Sequence, residues 1–389
     1  MAPAVSPLRR EAPADQPEVA ELLAACAAEG GRARTVGGGT KRGWGHPLSD
    51  PDLELSTRRL DRIVEHNEGD FTAVLEAGVP LTRAQEAFAL SGQMLALDPP
   101  TGDGATATIG GVVASGDSGP LRHRYGAPRD LILGVTMAHP DGTLARAGGR
   151  VIKNVAGYDL AKLNTGAFGT LGVIVQMAVR LHPLPRGTAT AVVRSADSGA
   201  LARAAAALAH ARLELQSLDA RWEGGEGSVL ARGGGAAARE QAEAVVRLAE
   251  DQGVSAELVE EDDGLWDEQR SAQRSAAGVV VRVSGVQAQL PAVWRAAEAA
   301  GATSVVTRVA AGISYACIEA ADDAAIAVER LRRALAPSPC VVLDAPAAVR
   351  ESLDPWGVSE GAELQLMRRL KAQFDPAGTC NRGLYVGGI

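Results

Sequence analysis

The sequence predicts an α+β chain of two domains, and three observations lead there. Glycine-rich stretches at 37–43, 98–120 and 148–172 crowd the first half. Between 187 and 350 they give way to short apolar strands alternating with alanine-rich helices, apart from Gly233-Gly234-Gly235. A glycine-bearing tail, FDPAGTCNRG, then closes the chain. With 389 residues, 46% of them apolar, the chain is long enough for two cores. Aromatics are only 3%, so Val, Leu, Ile and Ala must build those cores.

Pro17-Glu18 opens a helix in which Val19, Leu22, Leu23 and Cys26 recur at helical spacing, and Gly30-Gly31 ends it. Residues 32–36 enter a strand that runs into GGGTKRGWG. LDRIVEHNEGDFTAVLEAG reads as two strands around residues 67–70. A helix follows from Thr82 to about Ser91, with Thr82 and Gln85 at capping-box spacing. DPPTGDGATATIGGVVASGDSGP reads as one long loop, and LILGVTMAHPDGTLARAGG as a hairpin turning at Pro140-Asp141-Gly142. In VIVQMAVRLHPLP, alternation puts Val173, Val175, Met177, Val179 and Leu181 on one strand face. Pro183 and Pro185 break the pattern, and a domain boundary is expected near 186.

Beyond it, strands are expected at 216–223, 227–232, 278–284, 304–310, 313–319 and 340–344. Helices are expected at 236–251, 288–300 and 322–335. That alternation fits helices on one side of a mostly antiparallel sheet. A further helix is expected at 360–373.

Composition excludes several functions. A net charge of −8 and the lack of any basic block argue against nucleic acid as a partner. The four cysteines are far apart in sequence, which argues against a disulfide framework, an iron–sulfur site or a metal site within this chain. The N-terminus lacks the apolar stretch of a signal peptide, and no segment has the length of an uncharged membrane span. A reduced, cytoplasmic protein without direct membrane insertion is the expectation.

The loops carry the chemistry. Three successive glycines in Thr35-Val36-Gly37-Gly38-Gly39-Thr40-Lys41 allow consecutive amides to face one concavity and hold a phosphate, with Lys41 adding charge. A Walker A loop is absent, and Gly37, Gly39 and Gly43 lack the spacing and following helix of a dinucleotide fingerprint. The second loop, TATIGGVVASGDSG, again offers small residues and amides, so a pyrophosphate clamped between two loops is the economical reading. GGRVIKNVAGYDLAKLNTGAFGTLGVI would be a third wall. It holds Lys153 and Lys162, two of the four lysines in the chain. Tyr158 and Asp159 read as packing and capping residues.

Taken together, GGGT, then DPP with ATIGGVVASGDSGP and RYGAPRD, then KNVAGYDLAKLNTGAFGTLGVI, and finally FDPAGTCNRG resemble the PCMH-type FAD-binding flavoproteins of the vanillyl-alcohol-oxidase class. SGPLRHRYGAPRDLILG joined to GGRVIKNVAGYDLAKL is most similar to the E subunits of bacterial glycolate oxidases. The similarity covers about residues 30–185 and the last fifteen.

The resemblance implies a flexible N-terminus (1–17), an FAD-binding domain of two α/β subdomains (18–186), an antiparallel α+β cap (187–350) and a segment returning to the first domain (351–389). It implies a pyrophosphate against Val36, Gly37, Gly38, Gly39, Thr40 and Lys41, and against Thr108, Ile109, Gly110, Gly111, Ala114, Ser115 and Gly116. Pro100 and Thr101 would approach the ring system. Gly169, Gly172, Val173 and Ile174 would meet the cofactor through backbone, and Asn381 would return near the isoalloxazine.

FAD is expected to be non-covalent. The histidine or cysteine that tethers it in many relatives is missing from both loops, and His46 lies beyond the glycines. No histidine follows His210, whereas relatives that oxidise 2-hydroxy acids alone carry a late histidine motif supplying metal ligands and a base. Arg270, Arg274, Arg282 and Arg308 offer cations for a carboxylate, but no base is evident beside them, so the catalytic residues stay unassigned. Cys380 replaces an apolar residue and reads as packing.

These features fit an FAD-binding subunit of a glycolate oxidase complex. Its partners would be a larger catalytic flavoprotein and an iron–sulfur subunit, with a small 2-hydroxy acid as substrate and membrane contact only through those partners. Two alternatives stay open: a self-sufficient FAD-dependent 2-hydroxy acid or alcohol dehydrogenase, and a non-catalytic assembly subunit with a vestigial flavin site.

Overall fold

Asp15 caps the first helix, Gln16–Ala28, by accepting the Glu18 amide at 3.0 Å, and Pro17 fits its first turn. In this computed structural model residues 8–48, 51–102, 104, 106–151, 158–260 and 262–389 are described. The helix packs Val19, Leu23 and Cys26 against a small parallel sheet of β1 (Arg9–Glu11), β2 (Ala33–Val36) and β3 (Leu53–Ser56), in the order β1-β3-β2.

The second layer is antiparallel. It comprises β4 (Ile63–Asn67), β5 (Thr72–Glu76), β7 (Ile132–Ala138), β8 (Leu144–Gly148) and β9 (Val173–Arg180), in the order β4-β5-β9-β7-β8. A two-stranded pair, β6 (Gln93–Met94) with β10 (His182–Pro183), sits beside it. Every residue of β5 is buried, as expected of a strand covered on both faces.

The second unit is one eight-stranded antiparallel sheet. Its strands are β11 (Thr188–Ser195), β12 (Ser217–Glu223), β13 (Glu226–Gly234), β14 (Ser255–Val259), β15 (Val279–Ser284), β16 (Ala302–Arg308), β17 (Ile313–Ile318) and β18 (Cys340–Val342). They run in the order β14-β11-β13-β12-β16-β17-β15-β18. Helices Ser198–His210, Ala238–Asp251, Leu290–Ala299 and Ala324–Leu335 bury one face of it in a single apolar core. The other face turns to the first domain. There Val280, Tyr315 and Val341 share a cluster with Trp44, Trp356 and Leu364. The α+β layout is therefore as the sequence predicts.

Four local expectations are corrected. Gln85 does not cap its helix. That helix starts at Leu81 without a side-chain cap, and the Gln85 amide instead binds Leu95 and Leu97. The 98–120 loop contains a helix, Ile109–Ser115. Residues 173–181 do not share one face. The register of β9 against β7 slips between Thr136 and Met137, so Val173 and Val175 join the first-helix core while Met177, Val179 and Leu181 join the other. A bulge re-aims a strand in just this way. Strands β1, β3, β6, β10, β11 and β14, helices Ser198–His210 and Asp263–Ser271, and the short helices Arg122–Tyr125, Pro128–Leu131, Leu160–Asn164 and Ala347–Ser352 are not anticipated by the sequence reading. Chain ends of other elements agree within a few residues.

Candidate functional site

An open cleft lies between the end of β2, the Ile109–Ser115 helix and the start of β9. The first loop forms its floor. Gly39 adopts φ +79°, and a Cβ on Gly38 would lie 1.7 Å from the Thr106 carbonyl oxygen. The loop therefore needs glycine twice, once for backbone conformation and once for contact with the neighbouring loop. Arg58 holds the loop from behind, donating to the carbonyls of Gly37 at 3.2 Å and Gly38 at 3.0 Å. With the carbonyls drawn back, the amides of Gly38, Gly39 and Thr40 have no protein partner among the described residues. Free consecutive amides are what an anion-holding concavity requires.

The second wall differs from expectation. The Ile109 amide donates to Val79, that of Gly110 to Ala77, that of Gly111 to the Thr108 side chain and that of Val112 to Thr108. These four amides are spent on the fold. Ser115 likewise turns its hydroxyl to its own helix, at Gly111 and Val112.

Of the expected site residues, the structure brings Val36, Gly37, Gly38, Gly39, Thr40, Lys41, Thr108, Gly110, Gly111, Ala114, Ser115, Gly169, Val173, Ile174 and Asn381 together around this cleft. The other five do not line it. Pro100 is buried, and the Thr101 carbonyl accepts the Ala107 amide. Ile109 is core, Gly116 ends its helix in the left-handed region, and Gly172 packs against Ala138 and His139.

Asn381, at φ +42°, accepts the Thr35 amide at 3.0 Å and donates to the Phe168 carbonyl at 2.7 Å. It thus ties the first loop to the third across more than two hundred residues of sequence. Lys371, unremarked in the sequence, does similar work: its Nζ donates to Thr170, Cys380 and Asp375.

Lys41 points into the gap between the loops and pairs with Asp117 at 3.2 Å, both side chains nearly buried. The other lysines of the third stretch do not join it. Lys162 pairs with Asp159 on the surface, and Lys153 lies outside the described residues. Asp159 caps its helix as expected, by accepting the Lys162 amide, but Tyr158 is exposed rather than packed. His46 meets Asp354 at 3.2 Å, away from the glycines. Cys380 is fully buried, and burial pushes its thiol pKa far above the ordinary value, so it is a neutral packing group.

The four arginines have distinct fates. Arg274 grips Asp344, Arg308 grips Asp219 and Gln273, and Arg270 lies between Asp267 and Asp98. Arg282 has no carboxylate partner among the described residues. A fully buried carboxylate, Asp219, and a partly buried one, Asp98, thus stand beside arginines near the domain junction. Burial pushes Asp98 up to about 7 against the opposing pull of Arg270, and pushes Asp219 up to about 6 against that of Arg308. Sequence reasoning missed both. Asp98 stood in the quoted DPP stretch, but nothing local marks Asp219.

Among the described residues no group of three or more His, Cys, Asp or Glu is arranged to hold a metal ion. No helix among them is long and apolar enough to cross a membrane.

Residues 7–148 match the family model described as "FAD binding domain". Glycolate oxidase subunit GlcE of Escherichia coli (strain K12) is 37% identical over 152 residues, 39% of this chain and 43% of that protein. Glycolate oxidase subunit GlcD of Bacillus subtilis (strain 168) is 30% identical over 191 residues, 49% of this chain and 40% of that one. The D-lactate dehydrogenase of Archaeoglobus fulgidus is 33% identical over 150 residues, 39% of this chain and 33% of that enzyme. The chain therefore spans less than half the length of these curated relatives. Among solved structures, an alkyldihydroxyacetonephosphate synthase superposes with a TM-score of 0.70 over 96% of this chain and 75% of that one, at 15% identity. That likeness shows a shared fold.

Proposed function

We propose that this chain, whose first domain is an FAD-binding domain, is the FAD-bearing subunit of a glycolate oxidase complex. It would work on a small 2-hydroxy acid with a larger catalytic flavoprotein and an iron–sulfur subunit. The observation that carries the reading is the cleft itself: a glycine loop with three unpaired amides, facing a buried lysine and closed by Asn381 from the far end of the chain. Its resemblance to glycolate oxidase subunits supports the choice of complex.

Bound FAD supplies a two-electron acceptor for oxidising an alcohol carbon. The residues around it hold and position. The amides of Gly38, Gly39 and Thr40 would meet phosphate oxygens, while Arg58 keeps the intervening carbonyls turned away. Lys41 adds positive charge, and its bond to Asp117 fixes where that charge sits. Trp44 and Phe168 would add apolar rings to the wall facing the cofactor. Neither loop carries a histidine or cysteine, so the cofactor is held without a covalent bond. We place the protein in the cytoplasm, meeting the membrane only through partners.

The test is a visible absorption spectrum of the purified chain, before and after anaerobic glycolate. An oxidised flavin that persists alone and bleaches once the larger flavoprotein is added fits the subunit reading. Bleaching by the chain alone would replace it with a self-sufficient dehydrogenase. A colourless protein that takes up no FAD would overturn both.

A further inference from the structure

The phosphate-facing loop is gripped from the second domain. Asp344 follows β18, and its backbone is locked to β15: the Val280 amide donates to the Asp344 carbonyl at 2.8 Å. Its carboxylate is nearly buried and receives four donors. Trp44 Nε1 reaches Oδ1 at 2.8 Å and Arg274 Nη2 reaches it at 2.9 Å. Arg274 Nε donates to Oδ2 at 2.6 Å, and the Ser275 amide donates to the same oxygen at 3.2 Å. Arg274 then extends the chain of contacts, donating from Nη2 to the Thr40 carbonyl at 2.9 Å while its guanidinium lies 5.2 Å from the Trp44 ring centroid. Thr40 and Trp44 both line the cleft.

We propose that Arg274 and Asp344 form a latch by which the second domain positions the cofactor loop, so that FAD binding and docking of the two domains are thermodynamically linked. The inference rests on the FAD reading of the cleft but not on the identity of substrate or complex. A carboxylate with four donors is a rigid post, and charge-assisted bonds in a dry site are the strong ones. The Thr40 carbonyl, held outward by Arg274, cannot turn into the cleft. Its peptide is therefore fixed in the orientation that leaves neighbouring amides facing a phosphate. Linkage is reciprocal: if the docked second domain tightens FAD, then FAD must tighten the docking by the same factor. Both residues are positioning residues, since neither lines the cleft.

The test uses the full chain and reads two quantities. One is the FAD dissociation constant, by titrating apoprotein. The other is hydrogen exchange in apoprotein of the Trp44 amide, which donates to the Lys41 carbonyl at 3.1 Å within the loop and needs no cofactor to be read. Asp344→Asn and Arg274→Gln are each expected to weaken FAD by about tenfold or more, the cost of losing a buried charged partner. Each should also raise exchange at the Trp44 amide in the absence of FAD. Arg124→Ala is the control. It removes another contact between the domains, the solvent-exposed pair of Arg124 with Glu214, which contributes little to docking and does not touch the loop, so both readouts should stay unchanged. Arg274→Gln covers the case in which Asp344→Asn fails to fold. Wild-type FAD affinity together with wild-type loop exchange in Arg274→Gln would overturn the latch. So would an equal loss of FAD affinity in Arg124→Ala, which would make any loosening of the interface sufficient. If wild-type protein takes up no FAD, the cofactor reading fails, and the exchange data still decide whether the loop is held from the second domain.

Discussion

Asn381 carries an unusual share of the site. Its side-chain amide is the only side-chain bond, among the described residues, joining the Thr35 amide to the Phe168 carbonyl. Asn381→Ala leaves both groups unpaired and should cost about 1–3 kcal/mol of stability, together with FAD affinity. Asn381→Asp keeps the acceptor for Thr35 and loses the donor to Phe168, so its loss should be intermediate. Thermal melts with and without FAD rank the three proteins. Equal melts for Ala and Asp would mean that the bond to Phe168 alone matters. Lys41 makes a second case. Removing it strands the Asp117 carboxylate in a dry setting, which should cost about 3–5 kcal/mol. The double variant Lys41→Met with Asp117→Asn should recover most of that in urea denaturation of the apoprotein. A double variant as unstable as the single one would mean that Lys41 acts through its packing on Trp44.

At the scale of elements, the domain junction sets a pH dependence. Asp98 is held near the end of β6 by the Leu121 amide, at 3.0 and 3.2 Å, and faces Arg270. Asp219 on β12 meets Arg308 on β16 across the sheet. Both folded-state values, about 7 and about 6, lie above the ordinary 3.8. The folded protein therefore binds more protons than the unfolded chain between these values, and this contribution falls as pH rises from about 4 to about 7. Asp98→Asn keeps an acceptor for Leu121 and removes the titration. Its melting temperature should change less with pH over that window than the wild type's. An unchanged slope would assign the effect to Asp219 or to another group.

The same scale shows what the sequence could disclose. Helix Gln16–Ala28 and the β7–β8 hairpin were legible because caps, periodicity and turn residues are local signals. Helix Ile109–Ser115 was not, since two glycines argue against a helix and it forms by hanging its first amides on Ala77 and Val79. The switch of faces in β9 depends on a register slip against β7, which alternation alone cannot carry. Within the cleft, the first loop was readable from its glycines. Arg58, Lys371 and Asp344 were not, because each acts on a carbonyl or ring far away in sequence.

For the molecule as a whole, the decisive feature is that the first domain is finished by the end of the chain. The Ala33 amide donates to Thr379, the Asn381 amide donates to Ala33, and Cys380 bridges the edge of β2 beside them. Leu384 accepts from the His46 amide and from Trp356 Nε1. The segment that builds the loop-bearing strand is therefore paired with residues synthesised after the whole second domain. A chain ending at Gly378 keeps the helix Ala362–Phe374 and every strand of the four sheets. It loses the partner of the Ala33 amide, the Asn381 tie and the Leu384 contacts together. We expect it to fold its second domain, to purify with little FAD, and to be cut by protease within residues 37–48. Adding a synthetic peptide of residues 379–389 should restore part of the FAD uptake if the tail acts by pairing with β2. Full FAD content in the shortened chain would show that the cleft is complete without the tail.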